Sequence, residues 1–239
     1  MEQILAQMTD LPRENLLDAL DQAVGRSAAR KTASLYIMAE MADVPEIKER
    51  LQKGLADPDP EWRRTVVECI SDRGWVDLAP LLNSVMTSDP DWLCRSWAIA
   101  AAGRLKQLVN LQVILELAQT THPDREPSLV YAMTSYATEE CRKPLWAAFH
   151  RTRNKRNKVV AAWGLAKLRE RQAIEYLGKM LYDLEKQSPV SFDPGESWRA
   201  AQAIADLFAL PYRQDKSCVE EIRSWWEVNK GRILQEQWH

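Results

Sequence analysis

Glycine is scarce in this chain, with 8 in 239 residues, and there are only three histidines, His122, His150 and His239. Few glycines, with prolines falling between apolar segments, disfavour a sheet protein and favour helices joined by short turns. No HExxH, GxSxG, GxGxxG or Walker loop occurs, so the common hydrolytic, metal-dependent and nucleotide-binding chemistries have no motif to rest on. The four cysteines, Cys69, Cys94, Cys141 and Cys218, form no CxxC pair and have no histidine at zinc spacing. That pattern predicts buried free thiols in a reducing compartment. The reading is therefore of no catalytic residue, no metal ligand and no cofactor.

Long apolar runs are missing too. Charged or amide side chains interrupt every stretch well before the roughly 20 residues that a membrane helix needs. The first residues, MEQILAQMTDLPRENLLDAL, have no basic region and no small-residue cleavage site, so they read as the mature start of a cytoplasmic protein with no membrane contact. A net charge of −2 gives no global attraction to phosphate backbones, and a nucleic-acid partner would need a local patch.

What the chain does have is 46% apolar and 28% charged residues, enough for one sizeable core or for a row of small repeats sharing one. A repeat is present. DPDPEWRR at 57–64 returns as DPDWLCRS at 89–96 and DPGESWRA at 193–200. Aligning the first two copies brings Asp57 onto Asp89 and Arg63 onto Arg95, and the small and apolar positions that follow fall on one helical face. KVVAAWGLAKL from Lys158 keeps the same offsets with Lys158 in the arginine's place, whereas PSLVYAMTSYA at 127–137 fits by location but lacks the basic anchor. The spacing predicts helix pairs at 12–25 with 28–42, 45–56 with 60–72, 76–87 with 91–105, 109–121 with 127–137, 141–152 with 156–169 and 172–186 with 196–209. A last helix is predicted over 216–236. QSPVSFDPG at 187–195 enlarges one turn, on an edge where repeat proteins often carry partner-specific loops.

Aspartate before proline suits a helix exit followed by an entry. The carboxylates at 57, 59, 89 and 91 are placed to accept the unpaired N–H groups of the helix that starts there. The arginine six residues on is near enough to reach a turn aspartate of its own or an adjacent repeat, so Asp57, Arg63, Asp89, Arg95, Asp193 and Arg199 would form a ladder along one edge. These residues resemble the HEAT repeat family, including its PBS-lyase-type members. The resemblance implies an all-α, right-handed α-solenoid of about five to six helix pairs. It would be one domain, with residues 1–27 as N-terminal cap, 28–210 as repeats and 211–239 as a C-terminal capping helix. It also implies that the second helices line a concave surface that binds other macromolecules.

Two features depart from the repeat. Residues 142–171 hold ten Lys or Arg against one acid, Glu170, a local charge of +9 in a chain of −2. Around HRTRNKRNK these cations are either a solvated face or a site for an acidic partner surface or phosphate, with Arg151, Arg153, Lys155, Arg156 and Lys158 as its candidates. Ten tryptophans are also present. Trp62, Trp97, Trp163 and Trp198 fall on second helices, either filling gaps between small residues or, with Tyr131, forming an aromatic stripe of binding anchors. Trp225, Trp226 and Trp238 are placed to seal the last repeat.

The leading functional reading is a non-enzymatic scaffold for a protein partner, with a bacterial immunity protein as a narrower version. An enzyme of the same repeat type is the alternative, either a tetrapyrrole lyase or an alkylpurine DNA glycosylase. SDPDWLCRSWAI resembles the glycosylases' Trp-containing helix start with a phosphate-binding arginine, here Arg95. Their motif has a catalytic aspartate four residues after a tryptophan; after Trp75 that place holds Ala79, and Asp77 comes only two residues on. No residue signature specific to bilin attachment is found.

Overall fold

The computed structural model describes residues 45–183 and 195–235, and every regular element among them is helical. The predicted helices at 12–25 and 28–42, Asp193, Trp238 and most of the enlarged turn lie outside the described residues. None of the described helices is long and apolar enough to cross a membrane. Contacts group the chain into two compact units, Met1–Asn110 and Leu111–His239.

In the first unit, α1 (Pro45–Gly54) pairs with α2 (Pro60–Asp72). A 3-10 segment (Val76–Leu81) then runs into α3 (Leu82–Ser88), which pairs with α4 (Trp92–Leu105). The single helix expected over 76–87 is thus split. Pro80 lies inside it, has no N–H to give and crowds the preceding turn, so the first part winds as the tighter 3-10 form.

The repeated turn divides its two carboxylates between two tasks. Asp59 and Asp91 are the N-caps, accepting from Glu61 N (3.0 Å) and Cys94 N (2.8 Å). Asp57 and Asp89 instead accept the N–H of the cap residue itself, Asp59 at 2.8 Å and Asp91 at 2.9 Å, which folds the turn before the helix begins. Pro60 sits in the first turn of α2, where a missing N–H costs nothing.

Behind the turns, Val66, Val67 and Ile70 of α2 and Ala98, Ala101 and Ala102 of α4 are buried. The alanine stripe brings the two second helices together, and Leu82, Val85 and Met86 of α3 complete the core. Fully burying each of the larger side chains contributes about 1.5–3 kcal/mol.

The second unit contains most of α5 (Leu108–Thr120), then α6 (Pro127–Tyr136), a 3-10 turn (Glu139–Cys141), α7 (Arg142–Arg151) and α8 (Lys155–Lys167). α9 (Arg171–Met180), α10 (Gly195–Leu207) and α11 (Lys216–Gln235) follow. At its centre α8 packs on the first helices α7 and α9 and on the second helices α6 and α10. Small residues permit this: a Cβ on Gly164 would stand 2.7 Å from Thr134 Oγ1 and 2.8 Å from Leu145 Cδ1. α11 lies against α9 and α10. Its Trp226 is buried over Gly178, where an added Cβ would come within 2.2 Å of Trp226 Cζ2, and Trp225 packs on Phe208 at 5.0 Å. All four cysteines are buried and free. The architecture is all-α, built of repeated helix pairs as expected of an α-solenoid.

Candidate partner-binding face

The turn arginines are held by the scaffold. Arg63 donates from Nε and Nη2 to both carboxylate oxygens of Asp89 in the following repeat, each at 2.8 Å. Its Nη1 donates to the carbonyls of Asp57 and Pro58 in its own turn, at 2.7 and 3.1 Å. Burial pushes the Asp89 carboxyl up, but the Arg63 bonds and the Asp91 N–H outweigh it and leave it below the ordinary aspartate value. Arg95 repeats the own-turn half of the pattern, donating to Asp89 O at 2.6 Å. Arg199 is half-buried on α10, and its expected partner Asp193 falls outside the described residues. A cleft of about 360 Å³ opens between the turns near Ala56 and Ser88, but of the charged groups in its lining Arg63 and Asp89 satisfy each other and Asp57 accepts from the Asp59 N–H.

In the second unit the ladder changes chemistry. Thr152 stands in the aspartate's place and donates through Oγ1 to Asp124 of the preceding turn. Asp124 also accepts from Arg153 N (3.0 Å) and, at 3.3 Å, from Asn157 Nδ2. The Thr152 bond, opposed by desolvation and reinforced by these donors, holds the Asp124 carboxyl below its ordinary value. Lys158, in the arginine's place, points its ammonium over the rings of Phe149 (4.7 Å) and Tyr176 (5.6 Å). That cation–π contact substitutes for an ion pair. Cap and turn survive here because Asn154 accepts from Asn157 N at 3.4 Å.

Much of the local excess of cations is compensated by acids lying on both sides of it in the chain. Arg142 pairs with Glu139 and Glu170, Lys155 with Asp183 (3.2 Å), Lys167 with Asp206 (3.0 Å) and Arg171 with Glu175 (2.8 Å). Arg151 and Arg153 are exposed, and their guanidinium groups make no ion pair among the described residues. Arg156 is exposed and donates from Nε to Tyr131 Oη at 2.9 Å, its guanidinium 5.9 Å from the ring centre.

The aromatic residues divide. Trp62 is buried between helices, whereas Trp97, Tyr131, Trp163 and Trp198 are half-buried. On α8, Trp163 donates its indole N–H to Asp206 at 2.9 Å, and Lys167 stands over its ring at 4.8 Å while pairing with the same carboxylate. The open face of the second helices α6, α8 and α10 thus carries two fixed aromatic–cation groups, Tyr131–Arg156 and Trp163–Lys167–Asp206. Such groups offer apolar area with polar edges and have little side-chain freedom left to lose on binding. Trp97 lies on α4 of the first unit, on the side that carries Arg104, which pairs with Asp72 at 3.2 Å.

Sequence reading missed Lys167, Asp206, Phe149 and Tyr176 as partners, because the contacts join residues of different helices. It also missed Arg125 and the anchor Asp124. The only signal for them was Pro123–Asp124 in the turn before α6, a faint copy of the Asp-Pro-Asp turn. Among the described residues no group of His, Cys, Asp and Glu is placed to hold a metal ion. Asp77 is exposed and pairs with Lys48 at 3.0 Å, and Ala79 is buried with its carbonyl accepting from Asn110 Nδ2.

A family model described as HEAT repeats matches residues 11–103 and again 48–134, which together span more than half of the chain. No curated protein matches the sequence. With its capped aspartate turns, its arginine reaching the next repeat and its stacked second helices, the chain belongs to the HEAT-repeat family.

Proposed function

We propose that the chain is a non-enzymatic HEAT-repeat scaffold that binds a protein partner through the open face of its second helices and the adjoining basic edge. The observation that carries the reading is the pair of fixed aromatic–cation groups on α6, α8 and α10. Aromatic and arginine side chains held in place are the residue types on which interface energy concentrates. Trp198 adds a half-buried tryptophan on α10, and in the first unit Trp97 is a half-buried tryptophan on α4. Arg151, Arg153 and Arg156 supply long-range attraction at the edge, where Lys155 is paired with Asp183. Lys158 contributes by keeping its charge in the Phe149–Tyr176 bracket.

The enzyme readings have no comparable support. Arg95 is engaged by its own turn, and the carboxylates near Trp75 are paired, Asp77 with Lys48 and Asp72 with Arg104. The test uses the full-length chain as bait in an extract of its native source, beside a Y131A/W163A variant shown to be folded. The wild type is expected to retain a stoichiometric protein partner, with retention reduced at least about tenfold in the variant. Equal retention by both would contradict the proposal.

A further inference from the structure

The basic edge continues beyond the local excess of Lys and Arg. Arg125 lies in the turn before α6, outside residues 142–171, and is exposed with no ion pair among the described residues. Its neighbour Asp124 spans to the next turn, accepting from Thr152 Oγ1 and from Arg153 N at 3.0 Å. Two successive turns are thereby tied together, with the exposed Arg125 next to Asp124 in one and the exposed Arg151 and Arg153 flanking Thr152 at the other. The Asp124 carboxylate that links the two turns is taken up by them: one oxygen accepts from Thr152 and Asn157, the other from the Arg153 backbone. The three arginines are left with their donors facing solvent.

We infer that this edge is the docking site for a carboxylate-rich segment of the protein partner, with Arg125, Arg151 and Arg153 as the recognising groups. The inference rests on the scaffold reading and names the chemistry of its partner. Arginine forks match carboxylates two bonds at a time. The surroundings bear on the length of the ligand. Residues 111–141 of the same unit hold Glu116, Asp124, Glu126, Glu139 and Glu140 against Arg125 alone, a net charge of −4, so an extended phosphate polymer running from the cluster over α5 and α6 meets more repulsion than a short acidic segment does. The tight turn also fixes the cluster's spacing, since Asp124 clamps the backbone from which Arg153 projects.

The probe is a labelled glutamate-rich peptide, titrated with the full chain by fluorescence anisotropy beside single-stranded and duplex oligonucleotides of equal charge. An R125E/R151E/R153E variant is compared with K143E/K179E/K216E, which makes the same charge change at exposed lysines elsewhere in the unit, and circular dichroism verifies folding of both. The expected result is salt-sensitive peptide binding that weakens at least about tenfold in the arginine variant and much less in the lysine variant. Equal losses in the two variants, unchanged binding in the arginine variant, tighter binding of an oligonucleotide, or no peptide binding by wild type would each overturn the inference. If the arginine variant still retains the native partner, this inference fails and the scaffold reading stands; if wild type retains none, the scaffold reading itself fails.

Discussion

A single guanidinium at Arg63 serves four acceptors, two on the Asp89 carboxylate and two on the carbonyls of its own turn. Both side chains of the pair are almost wholly buried, at 7% and 3% exposure. Removing one partner strands the other, so R63A is expected to cost about 3–5 kcal/mol of unfolding free energy, read from urea titrations. The interval from aspartate to arginine was legible in the sequence, but its target was ambiguous between own and adjacent repeat; the structure uses both at once.

Asp89 and Asp124 have carboxyls held below the ordinary aspartate value, near 3.9 in the unfolded chain. For such groups the folded state binds its proton less readily than the unfolded state does. Their contribution is fully present above the unfolded value and disappears as pH falls through the lowered folded value. The urea midpoint should therefore drop below about pH 4, and D89N and D124N should each flatten that drop while lowering stability at neutral pH. The thiols behave in the opposite sense: burial pushes Cys69 up to about 11 and Cys94 up to about 12. Both should resist a thiol reagent at neutral pH until denaturant is added, as absorbance of the released label would record.

At the scale of helices, the periodic apolar faces and the turn prolines placed the described elements closely, except that α9 ends at Met180 and not at 186. Two kinds of feature escaped. Pro80 was read as part of a helix because apolar spacing continues through it, while the local backbone follows the missing N–H. The contacts that shape α8 escaped because they depend on which residue of a neighbouring helix comes opposite. Gly164 marks one of these close approaches, and Gly178 marks another of the same kind between α9 and α11. G164A places a methyl against Thr134 and Leu145, and G178A places one into the Trp226 ring. Each should lower stability by about 1–3 kcal/mol, and G178A should also alter Trp226 fluorescence. The sequence marked Lys158 as a departure from the repeat, but its aromatic bracket needs Tyr176 from the next helix pair, which the linear order hides.

For the molecule as a whole, composition excluded much and identified a repeat protein, and the family match agrees with that reading. The functional face was only partly legible. Trp163 and Tyr131 stood out by residue type, yet that they are half-buried and held by Asp206 and Arg156 is a matter of tertiary placement. Charge segregation was visible too, but part of the excess is compensated through space, which leaves Arg151 and Arg153, while Arg125 lies outside the basic stretch. Hydroxyl-radical footprinting of the purified native complex tests the central claim most directly, because it reads side-chain access at single residues. The account predicts that oxidation of Tyr131 and Trp163 falls on complex formation while Trp92, 62% exposed on the first unit, is unchanged; protection at Trp92 with Tyr131 and Trp163 still freely oxidised would contradict it.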